Sequence, residues 1–150
     1  MVKQIYYFKK YNQEIFFTFV SSLIVFFDQL TKYLVSSLKL QLDLKLLTIH
    51  FVKNTGAGFG ILKNQTSILT FISSAIAFVL IIMYKKIPKE KTSQTLFAIF
   101  LGGVVGNLID RFFLGYVIDF IDFNFWPAFN IADAAISISV IGLIIYFWKR

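Results

Sequence analysis

Residues 107–133, NLIDRFFLGYVIDFIDFNFWPAFNIAD, decide how the rest of the chain is read. They hold four of its eight acids: Asp110, Asp119, Asp122 and Asp133. Between those acids lie mostly Phe, Ile, Leu and Val. Carboxylates in or beside hydrocarbon are expensive, so by default they mark a functional site.

The rest of the chain supplies the hydrocarbon setting. Of 150 residues, 57% are hydrophobic, 19 are Phe and only 15% are charged, too thin a polar coat for one soluble domain. Long, nearly uncharged runs indicate an integral membrane protein. The net charge of +7 resides in lysines at the ends of those runs, as in topology signals. No basic motif with interleaved aromatics appears, so nucleic acid is not an expected partner. The absence of cysteine excludes disulfides, thiol catalysis and Cys-ligated metal. No cleavable signal peptide is expected, because Asp28 and Lys32 interrupt the first apolar run where a small-residue cleavage site would stand.

Four spans are predicted, at about 15–38, 66–84, 94–114 and 131–148, forming an all-α membrane bundle in a single domain. Residues 39–65 are too polar to span. Leu40, Leu42 and Leu44 alternate with polar neighbours, and NTGAGFG (54–60) reads as turns, so a small β-rich element is predicted on one membrane face. Residues 116–130 read as a loop containing Trp126 and Pro127. Four spans place both termini on one side. That side carries Lys3, Lys9, Lys10, Lys85, Lys86, Lys89, Lys91, Lys149 and Arg150, which makes it cytoplasmic. Helix rise then puts Asp28 roughly 20 Å and Lys32 roughly 25 Å into the membrane from inside. Asn107, Asp110 and Arg111 fall near the outer end of the third span and Asp133 in the first turn of the fourth, with Asn54 and Asp119 in outer loops. One site near the outer face accounts for this clustering.

Taken singly, these groups have other uses. Asp28 and Lys32, four apart on one helical face, suit an ion pair that supports a site. Asn107, Asp110 and Arg111 share a face and suit a structural network. Asn130 fits a helix N-cap with Asp133 at the third position, and spacing leaves capping and catalysis equally open. Asp119 and Asp122 suit solvated loop acids. Two carboxylates in a partly dry site, however, share one proton and act on water as base and acid, chemistry that needs no metal. His50 reads as incidental. No Ser–His pairing and no phosphate-binding loop is evident.

Five blocks carry a family resemblance: DQLTK (28–32), NTGAGFG (54–60), GG with GNLIDR (102–111), VIDFID (117–122) and FNIAD (129–133). In their order, and over nearly the whole chain, they resemble the lipoprotein signal peptidases, the type II signal peptidases of bacteria. The resemblance implies an aspartyl endopeptidase of the bacterial inner membrane. Such an enzyme cleaves lipid-modified prolipoproteins just before the diacylglyceryl-cysteine. It implies Asp119 and Asp133 as the catalytic pair, with Asp28, Lys32, Asn54, Gly56, Asn107, Asp110, Arg111 and Asn130 as supporting or substrate-binding positions. The expected partners are the prolipoprotein and membrane lipid, the expected state a monomer, and no metal or cofactor is expected. Gly58 stands where the family often has Ala, and the interval from Asp119 to Asp133 is shorter than usual. Two non-enzymatic classes compete, a small transporter that uses intramembrane acids as an ion path and a scaffold whose polar groups join helices.

Overall fold

The structure, a computed structural model, describes the backbone of residues 2–58 and 61–150 and the side chains of residues 12–58 and 61–150. Phe59 and Gly60 of the glycine-rich block, and the side chains of Lys3, Lys9 and Lys10, lie outside the described residues.

Four helices and three strands follow in the order α1 (Val2–Ser37), β1 (Gln41–Asp43), β2 (Thr48–Asn54), α2 (Thr66–Ile82), α3 (Lys91–Leu114), β3 (Val117–Asp122) and α4 (Ile131–Trp148), with a short 3₁₀ turn at Tyr84–Lys86 after α2. Among the described residues, three segments are long and apolar enough to cross a membrane: Asn12–Ser37, Lys91–Leu114 and Ile131–Trp148. Helix α2 is apolar but shorter, at 17 residues.

Burial is inverted relative to a water-soluble protein. Fully buried side chains include Lys32, Gln94, Asn130, Asp28 and Asp119, whereas Phe19, Phe71, Phe78, Ile81 and Ile141 lie on the surface. Water rewards the opposite arrangement, and hydrocarbon permits this one. Without a hydrophobic drive between helices, close backbone contact must hold the bundle. Helix α3 provides it. A Cβ added at Gly102 would lie 2.7 Å from the Ser21 carbonyl oxygen on α1, and one at Gly103 would lie 2.6 Å from the Ala132 carbonyl oxygen on α4. Helix α3 is therefore clasped between α1 and α4.

Gly115, at φ +76°, caps α3 in the left-handed conformation and turns the chain directly into β3. The expected 116–130 loop is corrected here, because residues 117–122 form a strand. Its first four residues are buried on both faces, which removes the alternation that would mark it in sequence. β3 pairs antiparallel with β2, and β2 with β1, in a three-stranded sheet of order β1-β2-β3. An irregularity between Ile49 and Val52 inserts one extra residue into β2. Asp119 and Asn54 consequently stand on paired strands rather than in loops, with Asp119 opposite Val52.

The sheet occupies one end of the bundle. At the other end Gln13 donates to the Lys89 carbonyl, and Arg150 and Tyr146 both reach Glu90. The N-terminal half of α1, the α2–α3 turn and the C-terminus thus lie together, opposite the sheet.

Candidate active site

The acids of the sheet end are built into two adjoining layers. The deeper one is centred on Lys32. Its ammonium group meets Asp28 Oδ2 at 2.8 Å and Asp110 Oδ2 at 3.0 Å and donates to Asn107 Oδ1 at 3.1 Å. An ammonium has three protons, so Lys32 has none left for a ligand. Asp28 Oδ1 also accepts from the Ala132 N–H, in the first turn of α4, and Asp110 Oδ2 from the Ile118 N–H of β3. This layer fixes α1, α3, β3 and α4 against one another. Gln29, overlooked in the sequence, belongs to it. Its amide nitrogen reaches Asp28 Oδ2, the Gly106 carbonyl and Asp110 Oδ1. The available signal was an amide beside Asp28 in an apolar run.

The upper layer holds Asp119 and Asp133. Asn130 caps α4 by accepting the Asp133 N–H at 2.9 Å, while Asp133 Oδ2 accepts the Asn130 N–H at 3.2 Å, a reciprocal capping box. The cap orients the Asn130 amide, because its oxygen is engaged and its nitrogen must donate. That nitrogen lies 2.7 Å from Asp119 Oδ1. Asn54 is oriented in the same way: its oxygen accepts the Gly56 N–H and its nitrogen donates to Asp119 Oδ2 at 2.8 Å. Asn107 donates to Asp133 Oδ1 at 2.8 Å and accepts from Lys32 and Asn130. Capping and site-building, open alternatives in the sequence, are one geometry. Each of the two carboxylates is held at both oxygens by protein donors.

Asp119 is 1% exposed. Burial, reinforced by the neighbouring Asp133 carboxylate, pushes Asp119 up to about 7 against the opposing pull of Asn54 and Asn130. The Lys32 ammonium opposes the rise as well.

Both acids open onto a cleft of 640 Å³. Val52, Asn54, Gly56 and Gly58 form one wall, Trp126, Pro127, Ala128 and Phe129 another, and Ala134, Ser137 and Ile138 of α4 a third. Arg111 lines it too and donates to the Gly56 carbonyl at 3.3 Å, tying down the turn after β2. A Cβ at Gly56 would meet the Ile61 carbonyl oxygen at 2.9 Å, so glycine is required for that turn to close. At Gly58 a Cβ would meet open space. The short 123–129 segment is folded back by reciprocal backbone bonds between Phe129 and Ile121 and by the stacked Phe123 and Phe129 rings. It still supplies a wall of the cleft.

The remaining acid of the stretch stands apart. Asp122 accepts from the Asn124 N–H and lies 3.0 Å from His50 Nε2 on the sheet's outer rim. Its hydrogen bond with His50, aided by that N–H, holds its carboxyl below the usual range. All ten residues singled out as catalytic or supporting converge at the sheet end. Among the described residues, no three His, Asp or Glu side chains cluster as a metal site would require.

Known proteins resemble this chain in sequence and in fold. Residues 20–149 match the family model described as signal peptidase (SPase) II. The lipoprotein signal peptidase of Caldanaerobacter subterraneus subsp. tengcongensis is 42% identical over 130 residues, covering 83% of this chain and 90% of that protein. That of Moorella thermoacetica is 36% identical over 139 residues, covering 89% and 91%. A bacterial membrane enzyme solved by the in meso method at 2.3 Å resolution superposes with a TM-score of 0.80 at 32% identity, covering 87% of this chain and 86% of that one. Another, solved in the same way at 1.9 Å, gives 0.77 at 32% identity, covering 88% and 92%.

Proposed function

The chain belongs to the signal peptidase II family, and from that premise we propose that it is an aspartyl endopeptidase that cleaves lipid-modified prolipoproteins immediately before the diacylglyceryl-cysteine. The observation that carries this reading is the pairing of Asp119 and Asp133. Both are clamped by amide donors and both face one cleft, where burial pushes the Asp119 carboxyl up to about 7.

The chemistry follows from one proton shared by two acids. Protonated Asp119 donates to the scissile carbonyl oxygen while ionised Asp133 takes a proton from water. The hydroxide so formed attacks the carbonyl carbon and gives a tetrahedral diol. The C–N bond then breaks, its electrons go to nitrogen, and the proton held by Asp133 goes to the leaving amine. The diol's proton returns to Asp119. Asn54, Asn107 and Asn130 hold the two carboxylates in place throughout. Asp28, Lys32 and Asp110 set the spacing of the helices beneath. Arg111 and Gly56 hold the cleft wall against which the peptide lies.

The proposed topology is one integral membrane domain of four spans. Helix α2 supports the fourth. It begins beside Thr55 at the sheet end, where Thr66 Oγ1 donates to the Thr55 carbonyl. It ends where Tyr84 packs on Phe17, toward the opposite end. Its 17 residues, about 25 Å at 1.5 Å each, cover most of a bilayer core. The lysine-rich end is cytoplasmic and the sheet extracytoplasmic, which sets the acids at the depth where a lipid-anchored cysteine presents its peptide bond. The protein acts as a monomer on a substrate delivered within the bilayer. An ion path would need buried ionisable groups at all depths, yet those among the described residues, Asp28, Lys32, Asp110 and Asp119, all lie at the sheet end.

The test is cleavage of a purified diacylated prolipoprotein by reconstituted Asp119→Asn and Asp133→Asn proteins of unchanged fold. Each is expected to lose about 10²–10⁴-fold in kcat, and near-normal turnover by either would remove that residue from the mechanism.

A further inference from the structure

The outer end of the sheet is two-faced in a way the peptide chemistry leaves unused. Residues two apart on a strand share a face, as do cross-strand partners. Leu42 is paired with Ile49, and Ile49 with Ile121. Leu44, two residues beyond Leu42, extends this apolar row. The opposite face carries Gln41 and Asp43, paired with His50 and Thr48, and Asp122, which meets both Thr48 and His50. One face is thus aliphatic and the other polar.

The orientation of the apolar face is fixed by Asp119. Asp119 and Ile121 are two apart on β3, and the extra residue of the sheet lies in β2, so β3 keeps its alternation. Asp119 points at Asn130 and the start of α4. The face that bears Ile121, Ile49, Leu42 and Leu44 therefore looks toward the helix bundle. Beyond the bundle's edge it has no helix beneath it. Leu42 is 51%, Leu44 60% and Leu46 75% exposed. The hairpin follows directly on the end of α1, where Leu34, and Leu38 just beyond the helix, are also exposed. Lys39 and Lys45 flank β1, and among the described residues neither forms an ion pair.

We propose that the 39–47 hairpin overhangs the bundle as an eave and rests its leucines in the headgroup–acyl boundary of the leaflet on the sheet side, with Lys39 and Lys45 at the phosphates. Lipid is the occupant because the hairpin follows directly on the end of a candidate membrane span whose leucines are exposed, and because cations flank an aliphatic row as in interfacial segments. β1 hydrogen-bonds to β2, which carries Asn54, and β2 to β3, which carries Asp119. The eave therefore registers the cleft against the bilayer surface. This inference stands independently of the peptidase chemistry.

The chain has no cysteine, so single labels are clean. Leu44→Cys and Asp43→Cys, each carrying a nitroxide, are reconstituted as full-length protein into phosphatidylcholine–phosphatidylglycerol vesicles. Collision rates are read with oxygen, which partitions into lipid, and with a water-soluble nickel chelate. The expected result is an oxygen-to-nickel ratio several-fold higher at Leu44 than at Asp43, with Leu46→Cys giving the same reading should Leu44→Cys not fold. Equal nickel access at both positions would place the hairpin in water and overturn the proposal. Protection from both reagents at Leu44 would mean that protein covers the face, and would overturn it as well.

Discussion

Asp119→Asn separates the stability of this protein from its chemistry, and the expected direction reverses with pH. Asp119 is 1% exposed and its pKa is raised from 3.8 to about 7. The folded state holds this proton more tightly than the unfolded chain does. Its contribution therefore favours the fold fully below about pH 4 and is lost as the pH climbs through 7, a swing of about 4 kcal/mol at 1.36 kcal/mol per unit. The Asn variant has no such swing but incurs a fixed loss. Asp119 accepts at both oxygens, from Asn54 and Asn130. An amide offers one oxygen, and its own NH₂ then opposes one of those donors, at a cost of about 1–3 kcal/mol. The variant should consequently be less stable than wild type by about 1–3 kcal/mol at pH 4 and more stable by a similar amount at pH 8. For a chain of this size that is roughly 2–4 °C in Tm per kcal/mol. Thermal unfolding in detergent at pH 4, 6 and 8 reads it directly. In the proposed mechanism the same proton serves catalysis, so wild-type kcat should fall as pH rises through about 7. A Tm difference that keeps one sign and size across this range would refute the assignment of a proton-holding acid at Asp119.

Two other outcomes are expected. Lys32→Met leaves Asp28 and Asp110 buried without their cation and should destabilise the fold by about 3–5 kcal/mol; an unchanged Tm would show that Lys32 does not hold the deeper layer together. Gly103→Ala pushes a methyl against the Ala132 carbonyl, which cannot yield without moving α4 and the Asp133 it carries, whereas Gly142→Ala meets only the tip of Leu96. A displacement approaching 1 Å costs up to about 10² in rate, so Gly103→Ala should lose activity well beyond its loss of stability and Gly142→Ala should keep both. Equal behaviour of the two in a cleavage assay would contradict the proposed clasp.

Hydrocarbon makes some features of this chain legible and hides others. The apolar runs announce helices because a lipid-exposed backbone must bond to itself. α4 starts at Ile131 because Asn130 and Asp133 form a cap that can be read three residues apart. Gly115 ends α3 for an equally local reason. β3 is hidden, because Val117, Ile118, Asp119 and Phe120 are all buried and the period of two disappears. The remaining signal was compositional, with β-branched and aromatic residues running from just after Gly115 up to Asn124. Gln29 is hidden for another reason. Its three contacts come from two elements more than 70 residues apart in sequence, and no local pattern encodes them.

The polar residues themselves were legible because hydrocarbon tolerates few of them, but their division of labour came only from the family resemblance, not from spacing. For the six ionisable groups singled out for the site, spacing does not say which are available to a ligand. Proton counting does. Lys32 spends all three protons on Asp28, Asp110 and Asn107, and Asp28 and Asp110 are each committed to Lys32 and to a backbone N–H. That leaves Arg111, which reaches over the cleft to Gly56, and the two acids that open onto it. Asp119 and Asp133 are each held by two protein donors, and an ionised carboxylate has roughly four acceptor sites. Among the acids of the described residues they alone combine unused lone pairs with access to the cleft. The deeper layer fixes the geometry, and the upper layer keeps the unfilled valence that the proposed chemistry requires.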